Sequence, residues 1–352
     1  MISSVKDLYP DIKERYDLPG LPGQFYSFPG QKVLLRSNSP GLIDFLNEVY
    51  HGFKSDEIAG SDPITLYLLK ESGQFLTVDP GFDSFTCSVP DQVLSFWGAQ
   101  LMCNHLYRSH LLFLHGSVLE RDGKAYIFLG ESNAGKSTTI LNLREEGFIF
   151  FSDEFAPIDL TSGFILPFPR SFLLRSDGIR LIPELSDRLA ELPSFNDYQE
   201  LDRETGEPVR RFIIIPKLIY QRTGKFPSPV GGIFFLDKFG TEETSVRAIS
   251  AADGLEKLLD HSVNSLYLSI ENRDRAFSTI AAILKNSPAF SLHPGPLDED
   301  PEIMARTINQ AVDHGRPIQT DDLDQVIQRC RELSPHFARA TYLTADEADY
   351  AD

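Results

Sequence analysis

Residues Gly130-Glu131-Ser132-Asn133-Ala134-Gly135-Lys136-Ser137 fit the pattern GxxxxGK[ST] at every fixed position, and no other stretch of this chain constrains it as much. The apolar, β-type run KAYIFL precedes them, and STTILNLREEG follows as a helix closed by Gly147. This order of strand, loop and helix opening is the one the pattern requires. Its glycines let the backbone turn tightly enough for successive N–H groups to converge on an anion. The lysine reaches the outer phosphates, and the last hydroxyl ligates Mg²⁺. Gly130, Glu131, Ser132, Asn133, Ala134, Gly135, Lys136 and Ser137, with Thr138 beside them, are therefore the expected phosphate-binding residues. The expected ligands are ATP or another nucleoside triphosphate, and Mg²⁺.

The neighbours of the loop narrow its chemistry. Upstream, LLFLHGSVLE and KAYIFLG are separated by RDGK, where Asp122-Gly123 predicts a hairpin turn. Downstream, FIFFSDE is a buried-strand run ending in Asp153 and Glu154. The loop itself looks like that of ABC transporter ATPases, but those enzymes carry an LSGGQ-type segment and place their acid-tipped strand far downstream. Here one short helix links Lys136 to the acid pair. That compactness puts Asp153 and Glu154 beside the phosphates, where carboxylates hold Mg²⁺ or take a proton from an attacking hydroxyl.

The stretch from His115 to Asp159 resembles the catalytic core of the HPr kinase/phosphorylase family, whose fold is shared with phosphoenolpyruvate carboxykinases. In that family a histidine opens a strand hairpin, the phosphate loop begins fifteen residues later, and an acidic pair follows the loop's helix. His115 and Gly130 stand fifteen positions apart here, and Asp153-Glu154 completes the pattern. The resemblance implies an α/β fold with a P-loop kinase core of HPr-kinase/phosphoenolpyruvate-carboxykinase type; it does not cover the small N-terminal α+β domain that the pattern of strands and helix ahead of it predicts. It implies that Asp153 is the catalytic carboxylate and that Glu154 assists with metal or base. His115 would tune Asp153, Lys136 would act on the transferring phosphate, and Ser137, Asp153 and Glu154 would hold the metal. The second acid is Glu rather than Asp, and the family's later glycine- and arginine-containing signature of phosphorolysis is absent. The chain looks more like divergent members, including kinases that modify serine in peptide natural products.

The implied activity is ATP- and Mg²⁺-dependent transfer of the γ-phosphate to a serine-type hydroxyl of a protein, peptide or small molecule. Two other readings stay open, a non-catalytic nucleotide-binding regulatory module and a carboxykinase-like small-molecule enzyme, with an ATPase motor behind them. Arg170 and Arg175, in PFPRSFLLRSDG, are further candidates to neutralise phosphate; Arg210, Arg211, Lys217 and Arg222 read as surface cations. His105, His110, His261 and His293 lack the spacing that singles out His115 and read as structural.

A chain of 352 residues, 41% hydrophobic, suits two domains and a tail. Strand pairs and one helix predict an N-terminal α+β domain over 1–90, the part expected to present the acceptor. The P-loop domain is expected over 91–295, opening with a connecting helix at 91–110 capped by Asp91, and an acidic helical segment over 296–352. Val93, Phe96, Trp97, Leu101 and Tyr107 on that helix read as core. A net charge of −18 repels nucleic acid and anionic lipid, so neither is an expected partner, whereas homo-oligomerisation stays open. The three scattered cysteines have no chelating spacing. With no signal-peptide layout and no apolar run long enough for a membrane helix, a cytoplasmic protein is expected.

Overall fold

A computed structural model describes residues 3–5, 17–56, 62–80, 82, 84–180, 182–202, 205–296 and 299–315 of the chain. They form a mixed α/β fold with three sheets. Two compact units divide them: one takes in Met1–Ser109 and Phe168–Gly224, the other His110–Pro167 and Lys225–Asp352. The units therefore part at places other than residues 90 and 295, because 168–224 folds back onto the N-terminal unit. Among the described residues no helix is long and apolar enough to cross a membrane. The sequence-predicted helix DDLDQVIQRCREL and Cys330 lie outside the described residues.

In the first unit, a seven-stranded sheet is centred on the parallel pair Gln31–Ser37 and Ile64–Glu71. A second sheet of three strands is made by Phe172–Leu174, Pro208–Ile214 and Ser194–Leu201. Of the stripe expected as core, Val93, Trp97, Leu101 and Tyr107 are buried, whereas Phe96, on the helix Asp91–Ala99, is half-buried. Trp97 is fully buried against Tyr26 and Tyr50, with ring centroids 6.1 and 5.1 Å away. The helix does not run on to residue 110, since it widens into a π-turn over Gln100–His105 and ends in a 3₁₀ turn at Leu106–Arg108. Asp91 is not its cap either: Pro90 occupies that position, and the Asp91 carboxylate accepts from the Asn196 backbone N–H at 2.9 Å. The strand Ser194–Leu201 sits in a stretch whose polarity predicts loop. Charge stabilises it instead, for Arg211 on the neighbouring strand donates to Asp197 at 2.6 Å and pairs with Glu200. The GFILPF run carries isolated bridges at Ile165 but no strand.

The second unit holds the phosphate-loop motif. Its strands are β1 (Leu111–Arg121), β2 (Lys124–Leu129), β3 (Ile149–Ser152), β4 (Phe155–Asp159), β5 (Val230–Leu236), β6 (Ser245–Ala248) and β7 (Ala289–His293). Helices α1 (Lys136–Asn142), α2 (Ala251–Asp260), α3 (Ile270–Asn286) and α4 (Pro301–His314) complete it. The sheet order is β3-β1-β2-β5-β7-β6, with β4 pairing β1 as well. β1 and β2 form the expected hairpin, with Asp122 and Gly123 both at positive φ (55° and 74°), the backbone a tight two-residue turn needs. The strands β2, β5 and β7 run parallel. Phe128, Phe234 and Phe290 stand opposite one another on them, with successive centroids 5.1 and 5.0 Å apart. Each stacked pair adds roughly 0.5–1.5 kcal/mol beyond its buried area and resists a one-residue slip of register. On the opposite face Ile127, Leu129, Ile233 and Phe235 bury against α2 and α3 through Leu255, Leu258 and Ile280.

β1 is long because it serves two sets of partners. Residues 116–121 pair β2, and Leu119 and Val118 pair β3 on the other side. Residues 111–115 pair β4. Along the edge that β2 vacates runs the segment 261–264. There His115 N–H donates to His261 O at 2.8 Å, Val263 N–H to Phe113 O at 3.0 Å, and the buried Asn264 amide donates to Leu111 O and accepts from Phe113 N–H. The change of partners falls at Gly116. A Cβ there would meet Phe128 O at 2.8 Å, so Gly116→Ala is expected to cost about 1–3 kcal/mol of stability, read as a lower urea midpoint with unchanged slope.

Candidate functional site

Between β3 and β4 the chain leaves β1 for two residues, and those residues are Asp153 and Glu154. Gly116 N–H holds the bend by donating to Glu154 O at 3.0 Å. The Ser152 hydroxyl accepts from the N–H groups of Glu154 and Phe155 at 3.3 and 3.2 Å, which sharpens the turn. The pairing resumes at Phe155, opposite His115. The acid pair is thus presented at the middle of β1, one strand away from β2 and the loop that follows it.

That loop runs from Gly130 to Gly135. Ala134 N–H donates to Glu131 O at 3.2 Å, and Asn133 and Gly135 take positive φ of 64° and 91°. No side chain fits at Gly135, where a Cβ would overlap the ring of Phe239. Ser132 and Asn133 are exposed, and Thr138 is half-buried on the first turn of α1. Glu131 reaches outward to Lys238, 3.4 Å away. Lys136 is 9% exposed, and its ammonium donates to Gly130 O at 2.8 Å and Glu131 O at 3.0 Å. Burial pulls its pKa below the ordinary lysine value, opposed by the carboxylate of Asp153.

Asp153 is where strand and loop meet. Its Oδ2 accepts from the Ser137 hydroxyl at 2.9 Å. The Ser117 hydroxyl lies 3.0 Å from its Oδ1 and 3.1 Å from its backbone O, so both carboxylate oxygens face a hydroxyl. Among the described residues no three His, Cys, Asp or Glu side chains converge as a metal cage. The pair of Ser137 Oγ and Asp153 Oδ2 does fit Mg²⁺, which is held by one or two protein oxygens plus phosphate oxygens and water. Glu154 stands next to it on the same bend, half-buried.

His115 lies two residues before Ser117 on β1, with its ring edge-on to Phe155 at 6.3 Å. Its backbone partner His261, which sequence spacing leaves as structural, belongs to the same cluster. The His261 ring stacks on Phe235 at 6.4 Å, and the Lys136 charge acts on both imidazoles. Burial first and the Lys136 ammonium second push each from the ordinary 6.5 to about 4. Both rings are therefore neutral at physiological pH. Because the folded state refuses protons that the unfolded chain accepts below pH 6.5, stability is complete above that pH and falls as pH drops toward about 4. Urea midpoints near pH 7 and near pH 4.5 should show this loss, and His261→Gln should shrink it, since its backbone carbonyl stays in place.

Ser117 and His261 are the two members of the cluster that motif reading misses. Ser117, which is fully buried, had a local signal in the sequence, as a hydroxyl residue in the apolar run LLFLHGSVLE two places after His115. Arg170 and Arg175 fold with the first unit, Arg170 over the Tyr50 ring at 5.6 Å and Arg175 paired with Glu200. Arg210, Arg211, Lys217 and Arg222 belong to that unit too. His105 there meets Asp79 at 2.8 Å, and in the second unit His293 meets Asp237 at 2.6 Å.

No protein-family model matches the chain. No curated protein matches it either. Among solved structures it is similar to the Hpr(Ser) kinase/phosphatase from Coxiella burnetii, at 13% identity and a TM-score of 0.26, over 56% of this chain and 94% of that one. Likeness at this level assigns no activity, so what the site can do is read from its own atoms.

Proposed function

We propose that the protein is a phosphotransferase that moves the γ-phosphate of a nucleoside triphosphate, ATP in the simplest case, to a hydroxyl of serine type. One observation carries this reading: a carboxylate, Asp153, is hydrogen-bonded to the last hydroxyl of the phosphate loop at 2.9 Å. A carboxylate at this place supports the reading because it can serve both needs of transfer, a ligand for Mg²⁺ and an acceptor for the proton of an incoming hydroxyl.

In the proposed reaction the loop backbone from Gly130 to Ser137 cradles the phosphates, and Lys136 turns its ammonium from the carbonyls of Gly130 and Glu131 to phosphate oxygens. Ser137 and Asp153, with Glu154 beside them, would hold Mg²⁺, which would supply positive charge to neutralise the phosphate oxygens. The acceptor hydroxyl gives its proton to the Asp153 carboxylate as its oxygen bonds to the γ-phosphorus. The bond from that phosphorus to the β–γ bridging oxygen breaks, and the nucleoside diphosphate leaves with the electron pair. Ser117 fixes the carboxylate's direction. His115 and His261, neutral in the folded protein, add no charge that would compete with Lys136 for the phosphates.

The test is incubation of the purified protein with γ-labelled ATP and Mg²⁺ in the presence of serine-containing peptides, free serine or nothing else. Label is expected in one acceptor class as a phosphoester. If ATP binds and no acceptor, the protein itself included, takes up label, the transfer reading fails and a nucleotide-responsive regulatory module replaces it.

A further inference from the structure

We propose that the loop Asp237–Gly240 forms the nucleoside-binding edge of this site, with the Phe239 ring as the platform on which the base of the donor nucleotide stacks. The inference rests on the phosphate-binding reading of Gly130–Ser137 and adds the recognition of the other end of the ligand.

The sheet order assigns the two ends of the nucleotide to opposite sides. Asp153 lies on the β1 and β3 flank of the phosphate-loop strand β2, and β5 and β7 lie on the other flank. A triphosphate whose γ-phosphate faces Asp153 must run across the loop, which brings its nucleoside over the ends of β5 and β7. Those two strands are parallel to β2, so all three present their carboxyl ends at one edge, as Gly130, Asp237 and His293-Pro294. Open α/β sheets bind ligands in the crevice beyond that edge.

The chain at this edge is fixed in place. Asp237 N–H donates to Leu292 O at 2.9 Å, and Gly240 N–H donates to Pro294 O at 3.0 Å. These two bonds clamp the four-residue loop at both ends, and the contact of the Asp237 carboxylate with the His293 imidazole at 2.6 Å adds a third tie. The loop also adjoins the phosphate cradle. Lys238 faces Glu131 at 3.4 Å, and the Phe239 ring lies where a side chain at Gly135 would have to go. Phe239 is half-buried, with one edge of its ring beside Gly135 of the cradle. An aromatic ring offered from a rigid loop beside a phosphate site has the chemistry of a base-stacking platform, because every nucleobase has a π-face to lay on it. The exposed Asp237 carboxylate and Lys238 ammonium supply polar groups at its rim.

The experiment measures equilibrium binding of ATP and of inorganic tripolyphosphate to the full chain by calorimetry, for wild type, Phe239→Leu and Phe239→Tyr. Leucine keeps apolar bulk against Gly135 and removes the ring; tyrosine keeps the ring. Phe239→Leu should weaken ATP about tenfold while tripolyphosphate affinity stays within about twofold, and Phe239→Tyr should bind ATP as wild type does. Equal losses for both ligands in Phe239→Leu would mean that the ring only props the loop, and would overturn the inference. Unchanged ATP binding in Phe239→Leu would overturn it as well, while leaving the phosphate site intact. A wild type that binds neither ligand would remove the phosphate site itself, and this inference with it.

Discussion

Asp153→Asn is expected to lower phosphoryl transfer by about 10²–10⁴-fold, the range that a positioned proton acceptor contributes. Asparagine matches aspartate in shape, and where the carboxylate oxygens now accept from the Ser137 and Ser117 hydroxyls at 2.9 and 3.0 Å, its carbonyl oxygen can accept from one hydroxyl while its NH₂ donates to the other. The bend between β3 and β4 therefore survives, held by Gly116 and Ser152 through backbone N–H groups rather than through this side chain. What is lost is the capacity to take the acceptor's proton and one anionic ligand for Mg²⁺. Nucleotide affinity measured without Mg²⁺ should stay at the wild-type level, which separates this variant from one that damages the phosphate loop. Initial rates of label transfer beside a calorimetric binding curve make the comparison.

Lys136→Met should act differently, reducing both nucleotide affinity and transfer, with kcat/KM down by about 10²–10³-fold for loss of one preorganised charge on the transferring group. The physical setting makes this lysine costly to keep. It is nearly buried, and burial lowers its pKa, so the ammonium survives through the carbonyls of Gly130 and Glu131 and the charge of Asp153. Methionine keeps the apolar stem of lysine and removes the burial cost of the ammonium, which offsets the two carbonyl contacts given up at Gly130 and Glu131. The expected result is therefore a melting temperature close to wild type together with a large loss of function. Melting curves with and without ATP test it, because the stabilisation by bound nucleotide should disappear in the variant.

The part of the site that the sequence makes legible is the part built from adjacent chain. Strand, loop, helix and acid-tipped strand follow one another between His115 and Asp159, so their order fixes their neighbourhood, and the hairpin turn at Asp122-Gly123 is encoded by its own residues. His261 was not legible, because it reaches His115 through a non-local edge, the segment 261–264 running beside β1. Nothing in the sequence spacing marks that edge, and its strongest tie is a buried asparagine amide rather than a hydrophobic pattern. The division of the chain was hidden for a similar reason. The strand Ser194–Leu201 is polar and held by Arg211 with Asp197 and Glu200, so hydropathy reads it as loop, and residues 168–224 then show no sign of joining the N-terminal unit. Asp91 failed as a cap because its carboxylate is engaged by Asn196 in that same segment.

The central claim is that the carboxylate beside the phosphate loop couples nucleotide cleavage to esterification of a hydroxyl. Its most direct measurement is the stoichiometry of products in one reaction, with nucleoside diphosphate and phosphoester followed together by phosphorus NMR in the presence of the accepting compound. Equal amounts of diphosphate and phosphoester, both suppressed in Asp153→Asn, are the predicted result. Diphosphate accompanied by inorganic phosphate alone, or equal product formation by wild type and Asp153→Asn, would contradict it.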